Sequence, residues 1–294
     1  MDLEPAKEIA INVQLITRAI TAIEHLSPHL QFVVIPTGTK AYGVHFLSDM
    51  PFTPPLAESL PRLPEPYASE VFYYAIVDAA AQLAQGKAWK WCEIIPDMIV
   101  GFVPNNNVYC LAQTLATYLS LYRAVEGEGK ECAFPGTEKS WLNQSNDSSQ
   151  DVVARFSIYA SLHPETTHAQ RYNTADNSVP SCWMVKWPLI CSFFGLIGTP
   201  PLEGGSGPQP GEYIEQHLQQ WNELEAKYGL QTGRVGNDRS YGGFQHLIMT
   251  TFDFDRHLDL GKMHAVWGEK VEETDGKGAW WTAFERFRRA RIIP

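Results

Sequence analysis

"VVIPTGTKAYGVHF", Val33 to Phe46, reads as a buried strand running into a loop. Val33, Val34 and Ile35 are β-branched and follow one another without a polar break, which suits a strand covered on both faces of a parallel sheet. Gly38 interrupts the strand, and Lys40 and Tyr42 follow it. The carboxyl ends of the strands are where open α/β sheets place their ligand sites. Only 32 residues precede Val33.

Working outward, Ile9, Val13, Ile16, Ile20 and Ile23 recur at helical spacing and predict an amphipathic helix over 5–26. Residues 45–66 form a proline-rich loop. "ASEVFYYAIVDAAAQLAQGK" predicts a helix ending near Gly86, "AWKWCEIIPDMIVGFVP" a strand with its exit, and residues 108–126 another helix. This rhythm of strand and helix argues for a parallel α/β sheet. Beyond residue 130 the pattern turns helical and aromatic. "SSQDVVARFSIYASLHP" is expected as a helix capped by Ser148 or Ser149. "SCWMVKWPLICSFFGL", "GEYIEQHLQQWNELEAKYGL" and "WWTAFERFRRARIIP" are expected as further helices, with "GTPPLEGGSGPQPG" as a loop. The expected division is an α/β part over 1–130 and a mainly helical substrate-binding or lid part over 131–294, interleaved.

The chain has 294 residues, 44% apolar and 19% charged, and a net charge of −10. That composition is globular, and the acidity disfavours nucleic acid and anionic membrane as partners. The five cysteines are scattered without a C-x-x-C pair, so they read as buried thiols in a reducing compartment. The acidic start "MDLEPAKEIAI" has no apolar core, and no run of about 18 apolar residues occurs; the expected location is the cytosol. His246 and His257 lack metal-ligand spacing, and no G-x-S-x-G elbow is present. No metal site is expected.

A dinucleotide-binding turn needs glycines at fixed spacing between a first strand and a helix, so that backbone N–H groups can approach the pyrophosphate. Gly38 is the first glycine of the sequence; "GGSG" at 204–207 lies in a proline-flanked loop, and "GRVG" at 233–236 follows no strand. No phosphate-cradling turn is recognisable.

The segments "TGTKAYGVH", "FYYAIVD", "IIPDMIVGFVPNNN" and "FPGTEKSW" resemble, in that order, motifs of the progesterone 5β-reductase/iridoid synthase-like (PRISE) family of atypical short-chain dehydrogenases, nearest to its fungal members. The resemblance extends from about residue 10 to the C-terminal "RIIP", and the family's N-terminal portion with the glycine turn has no counterpart. It implies a truncated Rossmann-like parallel sheet plus the helical substrate region. It further implies chemistry on activated C=C bonds of enones or enals, reduced by NADPH, with a lysine and a tyrosine stabilising the enolate oxygen. The motif lysine maps to Lys40, and the tyrosine is assigned to Tyr74, with Asp78 four residues on. Ala41 stands where the family often has histidine. Tyr73, about 100° around the helix, is placed with the substrate pocket. The remaining pocket candidates are Tyr42, Phe102, Val103, Pro104, Asn105, Trp141, Met249 and Phe252. The bland readings are a solvated loop lysine for Lys40, core packing for Tyr74 and the aromatics, and a plain turn for 102–105.

Without a cofactor seat, the expectation is a cofactor-independent enzyme catalysing a non-redox cyclisation or isomerisation, such as an intramolecular Diels–Alder reaction, of an apolar enone or polyene in fungal-type secondary metabolism. The alternatives are an NADPH-dependent C=C reductase and a non-catalytic scaffold. A bare strand edge invites pairing, so the N-terminal helix, the C-terminal half or a second protomer is expected to cover it, the last as a homodimer.

Overall fold

The computed structural model describes residues 4–49, 51–237 and 243–294; the first three residues of the acidic N-terminal stretch lie outside them. Seven strands occur among the described residues: β1 (Phe32–Pro36), β2 (Lys90–Pro96), β3 (Met98–Val100), β4 (Glu131–Ala133), β5 (Asp147–Ser149), β6 (Arg171–Thr174) and β7 (Ile197–Thr199). The chain forms two compact units, one of residues 1–97, 151–178 and 256–272, the other of 98–150, 179–255 and 273–294.

In the first unit β1, β2 and β6 make a parallel sheet in that order, so β1 is an edge strand. The register sets Ile35 opposite Glu93 and Glu93 opposite Arg171. The helices Pro5–Leu26 and Phe72–Leu83 appear where the apolar spacing predicts them. Ile76, Val77 and Ala80 lie on one helical face and close with Ile20, Ile35 and Trp89 into one apolar cluster. Each aliphatic side chain buried there contributes about 1.5–3 kcal/mol. This cluster holds Phe72–Leu83 close to the end of β1, and so brings the tyrosine pair to the lysine loop.

In the second unit β3 pairs with β5 and β4 with β7, both parallel. The helix Leu111–Glu126 buries every residue from Leu111 to Leu121, the mark of an interior helix. Trp183, Trp187, Trp280 and Phe284 are all at most 1% exposed. Among them sits an ion pair: Lys186 Nζ donates to Asp147 Oδ1 at 2.9 Å and to Ser145 Oγ at 3.1 Å, while Trp280 Nε1 donates to Asp147 Oδ2 at 3.0 Å.

Several expectations change. The strand and exit expected over 88–104 break at Asp97 into β2 and β3. The region after 130 is not purely helical, since it carries β4, β5, β6 and β7; strands of three or four residues are too short for a period-two pattern to register. Ser148 and Ser149 lie in β5, directly ahead of the helix that starts at Gln150. The long helix expected after Gly211 divides at His217 into Pro210–Gln216 and Leu218–Tyr228. All five cysteines are buried thiols. No described helix is long and apolar enough to cross a membrane.

Candidate functional site

The loop after β1 is where the sequence concentrates chemistry, and the structure shows how it is held. Thr37 Oγ1 donates to the buried carboxylate of Glu93 at 2.7 Å. Thr39–Tyr42 then forms a single 3-10 turn, closed by the N–H of Gly43 on the Lys40 carbonyl; Gly43 adopts φ 83°, a conformation costly for any residue with a β-carbon. Tyr42 is 4% exposed, and its hydroxyl donates to Asn173 Oδ1 at 2.7 Å. The Asn173 amide is fixed in turn by the carbonyls of Leu56 and Asp259 at 2.7 and 2.9 Å. Burial pushes the Tyr42 phenol well above its ordinary pKa. Tyr42 therefore acts as an interior anchor of the loop, and its hydroxyl is not offered to a pocket.

Lys40 lies between these anchors. It is half-buried, its Nζ stands 5.9 Å from the centroid of the Phe72 ring, and its ammonium has no hydrogen bond or ion pair among the described residues. His45 follows on the next turn, its ring 4.0 Å from that of Phe46. Burial, reinforced by the Lys40 charge, lowers the His45 pKa to about 4, so the imidazole is neutral near pH 7.

The adjacent tyrosines of "FYY" take different parts. Tyr74 is 8% exposed; its hydroxyl donates to the Ala41 carbonyl at 2.6 Å and accepts from the Leu63 N–H at 3.1 Å. Burial raises its pKa. Arg62 covers the Tyr74 ring at 4.8 Å and is itself gripped by Asp78 through two bonds of 2.6 and 2.7 Å. That explains an acid at position 78. Tyr73 turns the other way round the helix, and its hydroxyl reaches Gly38: a β-carbon built there would stand only 3.2 Å from it. Both hydroxyls thus approach the lysine loop, Tyr74 at Ala41 and Tyr73 at Gly38.

The other candidates lie in the second unit. Phe102 is half-buried, its N–H donating to Gln150 Oε1 at 2.8 Å and its ring 5.0 Å from Phe287; Val103 is half-buried, and Pro104 and Asn105 are exposed. Trp141, Met249 and Phe252 are all buried, at 7%, 1% and 6% exposure. Trp141 packs against Phe134 with centroids 5.1 Å apart. Ser140 Oγ donates to the Met249 carbonyl at 2.6 Å, and Asn143 Nδ2 to that of Phe252 at 2.9 Å. Met249 sits in the π-turn Leu247–Thr251, a form that recurs at functional sites. Gly136 permits this closure, since a β-carbon there would lie 1.9 Å from the Met249 carbonyl oxygen.

Known proteins resemble this chain along nearly all of its length. The short chain dehydrogenase ausT of Aspergillus calidoustus is 34% identical over 287 residues, covering 96% of this chain and 69% of the relative. The (S)-8-oxocitronellyl enol synthase ISY1 of Nepeta cataria is 24% identical over 287 residues, covering 96% and 70%. The solved structure of RMD from Pseudomonas aeruginosa, complexed with NADPH, superposes with a TM-score of 0.55 at 12% identity, covering 96% of this chain and 76% of that one, which establishes a shared fold. The model of the PRISE-like Rossmann-fold domain matches residues 1–294, and the chain belongs to that family.

Proposed function

We propose that the Thr37–Tyr42 loop binds the carbonyl oxygen of an apolar α,β-unsaturated aldehyde or ketone, with Lys40 supplying charge and Tyr73 a hydrogen bond to the enolate oxygen. The observation that carries this reading is the Lys40 ammonium, half-buried and without an acceptor among the described residues, on backbone anchored at both sides. A cation in such a setting stabilises negative charge as it develops on an oxygen beside it, and fixed donors of this kind contribute about 3–4 kcal/mol each. Tyr74 is a positioning residue, since both of its hydrogen bonds serve the loop and the segment over it. Relatives named short chain dehydrogenase and enol synthase support the same class of substrate chemistry.

A nicotinamide dinucleotide, where bound, supplies the hydride that converts an enone to its enolate. The described residues suit the oxygen end of that reaction. The helix Pro5–Leu26 leads into β1 without a glycine, and Gly38 is the first in the sequence, so the described residues ahead of the site include no pyrophosphate cradle. In a second reading the same polarised carbonyl promotes a non-redox ring closure or isomerisation. Holding both reacting ends of a flexible chain in register contributes up to about 7–11 kcal/mol.

One experiment separates the two. The purified chain is titrated with NADPH and NADH, following cofactor fluorescence, and then incubated with a short enal and a polyenone with and without cofactor. Micromolar binding and cofactor consumption select the reductase reading. Conversion without cofactor, lost in Lys40→Met, selects the non-redox one. Conversion that persists in both Lys40→Met and Tyr73→Phe removes the proposed site altogether.

A further inference from the structure

On the other side of Tyr74 the first unit contains a cavity of about 160 Å³, lined by Arg62, Tyr74, Trp91, Glu93, Gln170 and Arg171 among others. Its two arginines differ in how far they are satisfied. The Arg62 fork is closed by Asp78 through two short bonds. Arg171 lies over the Tyr42 ring at 5.6 Å, with only 22% of its side chain exposed, and its one ionic partner among the described residues is Glu93, Nε to Oε2 at 3.4 Å. Its Nε is buried and makes no hydrogen bond. Glu93 in turn gives its other oxygen, Oε1, to the Thr37 hydroxyl.

A guanidinium presents five N–H donors in a planar fork whose spacing matches a carboxylate, and burying donors without acceptors is costly. Asp78 matches the charge of Arg62, and Arg171 is left with Glu93 at 3.4 Å, an oxygen too distant for a close hydrogen bond. Trp91 and Val77 add an apolar wall. We propose that this cavity binds a small carboxylate, held by the Arg171 fork, with a short hydrocarbon tail against Trp91 and Val77. The site is separate from the Lys40 loop. Tyr42 and Tyr74, which anchor that loop, are the rings on which the two arginines lie, so occupancy bears directly on the loop's supports.

The test is calorimetric titration of the full chain with acetate, butyrate and inorganic phosphate at constant ionic strength, with ligand-observed NMR for weak binding. Butyrate is expected to bind saturably and several-fold tighter than acetate. Arg171→Lys keeps the charge but loses the fork, and is expected to weaken butyrate at least tenfold. Glu93→Gln removes the competing carboxylate and is expected to tighten it several-fold, a gain that a variant with damaged folding would not give. Trp91→Ala is expected to remove the preference for butyrate over acetate. Phosphate binding tighter than either carboxylate with the same Arg171 dependence would overturn the ligand class. Absence of saturable binding to all three probes, or binding unchanged in Arg171→Lys, would overturn the site.

Discussion

Replacing Tyr73 and Tyr74 separately with phenylalanine should divide catalysis from stability. In Tyr74→Phe the hydroxyl that satisfies the Ala41 carbonyl at 2.6 Å and the Leu63 N–H at 3.1 Å is gone. Ala41 is 2% exposed, so its carbonyl cannot turn to water. An orphaned buried polar group costs about 1–3 kcal/mol, and the second bond adds roughly 0.5–1.5 kcal/mol, giving a loss of about 2–4 kcal/mol. For a chain of this size that lowers Tm by roughly 3–7 °C. In Tyr73→Phe the oxyanion donor is lost, and about 3–4 kcal/mol of transition-state stabilisation corresponds to a kcat reduced by two to three orders of magnitude. The ring of Tyr73 and its packing against Phe72 are retained in this variant, so the loss of kcat is expected to exceed any change in stability. Urea unfolding measures the first quantity. Loss of the conjugated absorbance of an enal, with and without NADPH, measures the second, because both reduction and ring closure consume the conjugation. An inactive Tyr74→Phe of unchanged stability, beside a fully active Tyr73→Phe, would reverse the assignment.

Lys40→Met should abolish turnover while leaving stability unchanged or raising it by about 1 kcal/mol, because it removes an unpaired, half-buried charge; thermal unfolding beside the activity assay checks both. Gly136→Ala should destabilise the second unit by about 3 kcal/mol or more, since a β-carbon 1.9 Å from the Met249 carbonyl oxygen forces backbone to move, and soluble yield with urea unfolding reads it. Lys186→Met leaves the Asp147 carboxylate buried without its cation and should cost about 3–5 kcal/mol, whereas Lys186→Met with Asp147→Asn should recover part of that in a double-mutant cycle. The folded-state pKa of His45 lies below its ordinary value of 6.5, at about 4, so its contribution to stability is present above pH 6.5 and is lost as pH falls through 4. A chain carrying His45→Gln should therefore show a shallower loss of stability across that window.

Much of the first unit is legible in the sequence because its elements are long and strongly patterned. Ile9 to Ile23 and Ile76 to Ala80 follow helical spacing, Val33–Ile35 is an unbroken apolar run, and Trp91–Ile95 is apolar apart from Glu93. Lys40 is legible from its position after such a run. The role of Tyr74 is not, because it depends on Leu63 and Ala41, 11 residues and 33 residues away in the chain. Likewise "RYNT" carries no strand pattern; it is a strand because Tyr172 and Asn173 pair with Ile94 and Ile95. Asn173 reads as a loop residue by composition, yet it is wholly buried and fastens Tyr42. Arg171 gives no signal of its own until the register sets it opposite Glu93.

The hydrogen bonds around the loop have a direction. Thr37, Tyr42 and Tyr74 each use a side-chain hydroxyl on a fixed partner, Glu93, Asn173 and the Ala41 carbonyl, at 2.7, 2.7 and 2.6 Å. At about 1 kcal/mol net for each, they hold some six residues of backbone against a conformational entropy several times larger. The loop is therefore rigid only because the apolar cluster beneath it already fixes β1 and the helix Phe72–Leu83. A segment serving packing alone would place an apolar residue at its centre, where desolvation is free. This one places an ammonium there and gives it no acceptor among the described residues. The anchoring makes sense if the charge must wait in one position for an oxygen that arrives with the substrate, since preorganised charge acts on a transition state without the reorganisation that a mobile lysine would require.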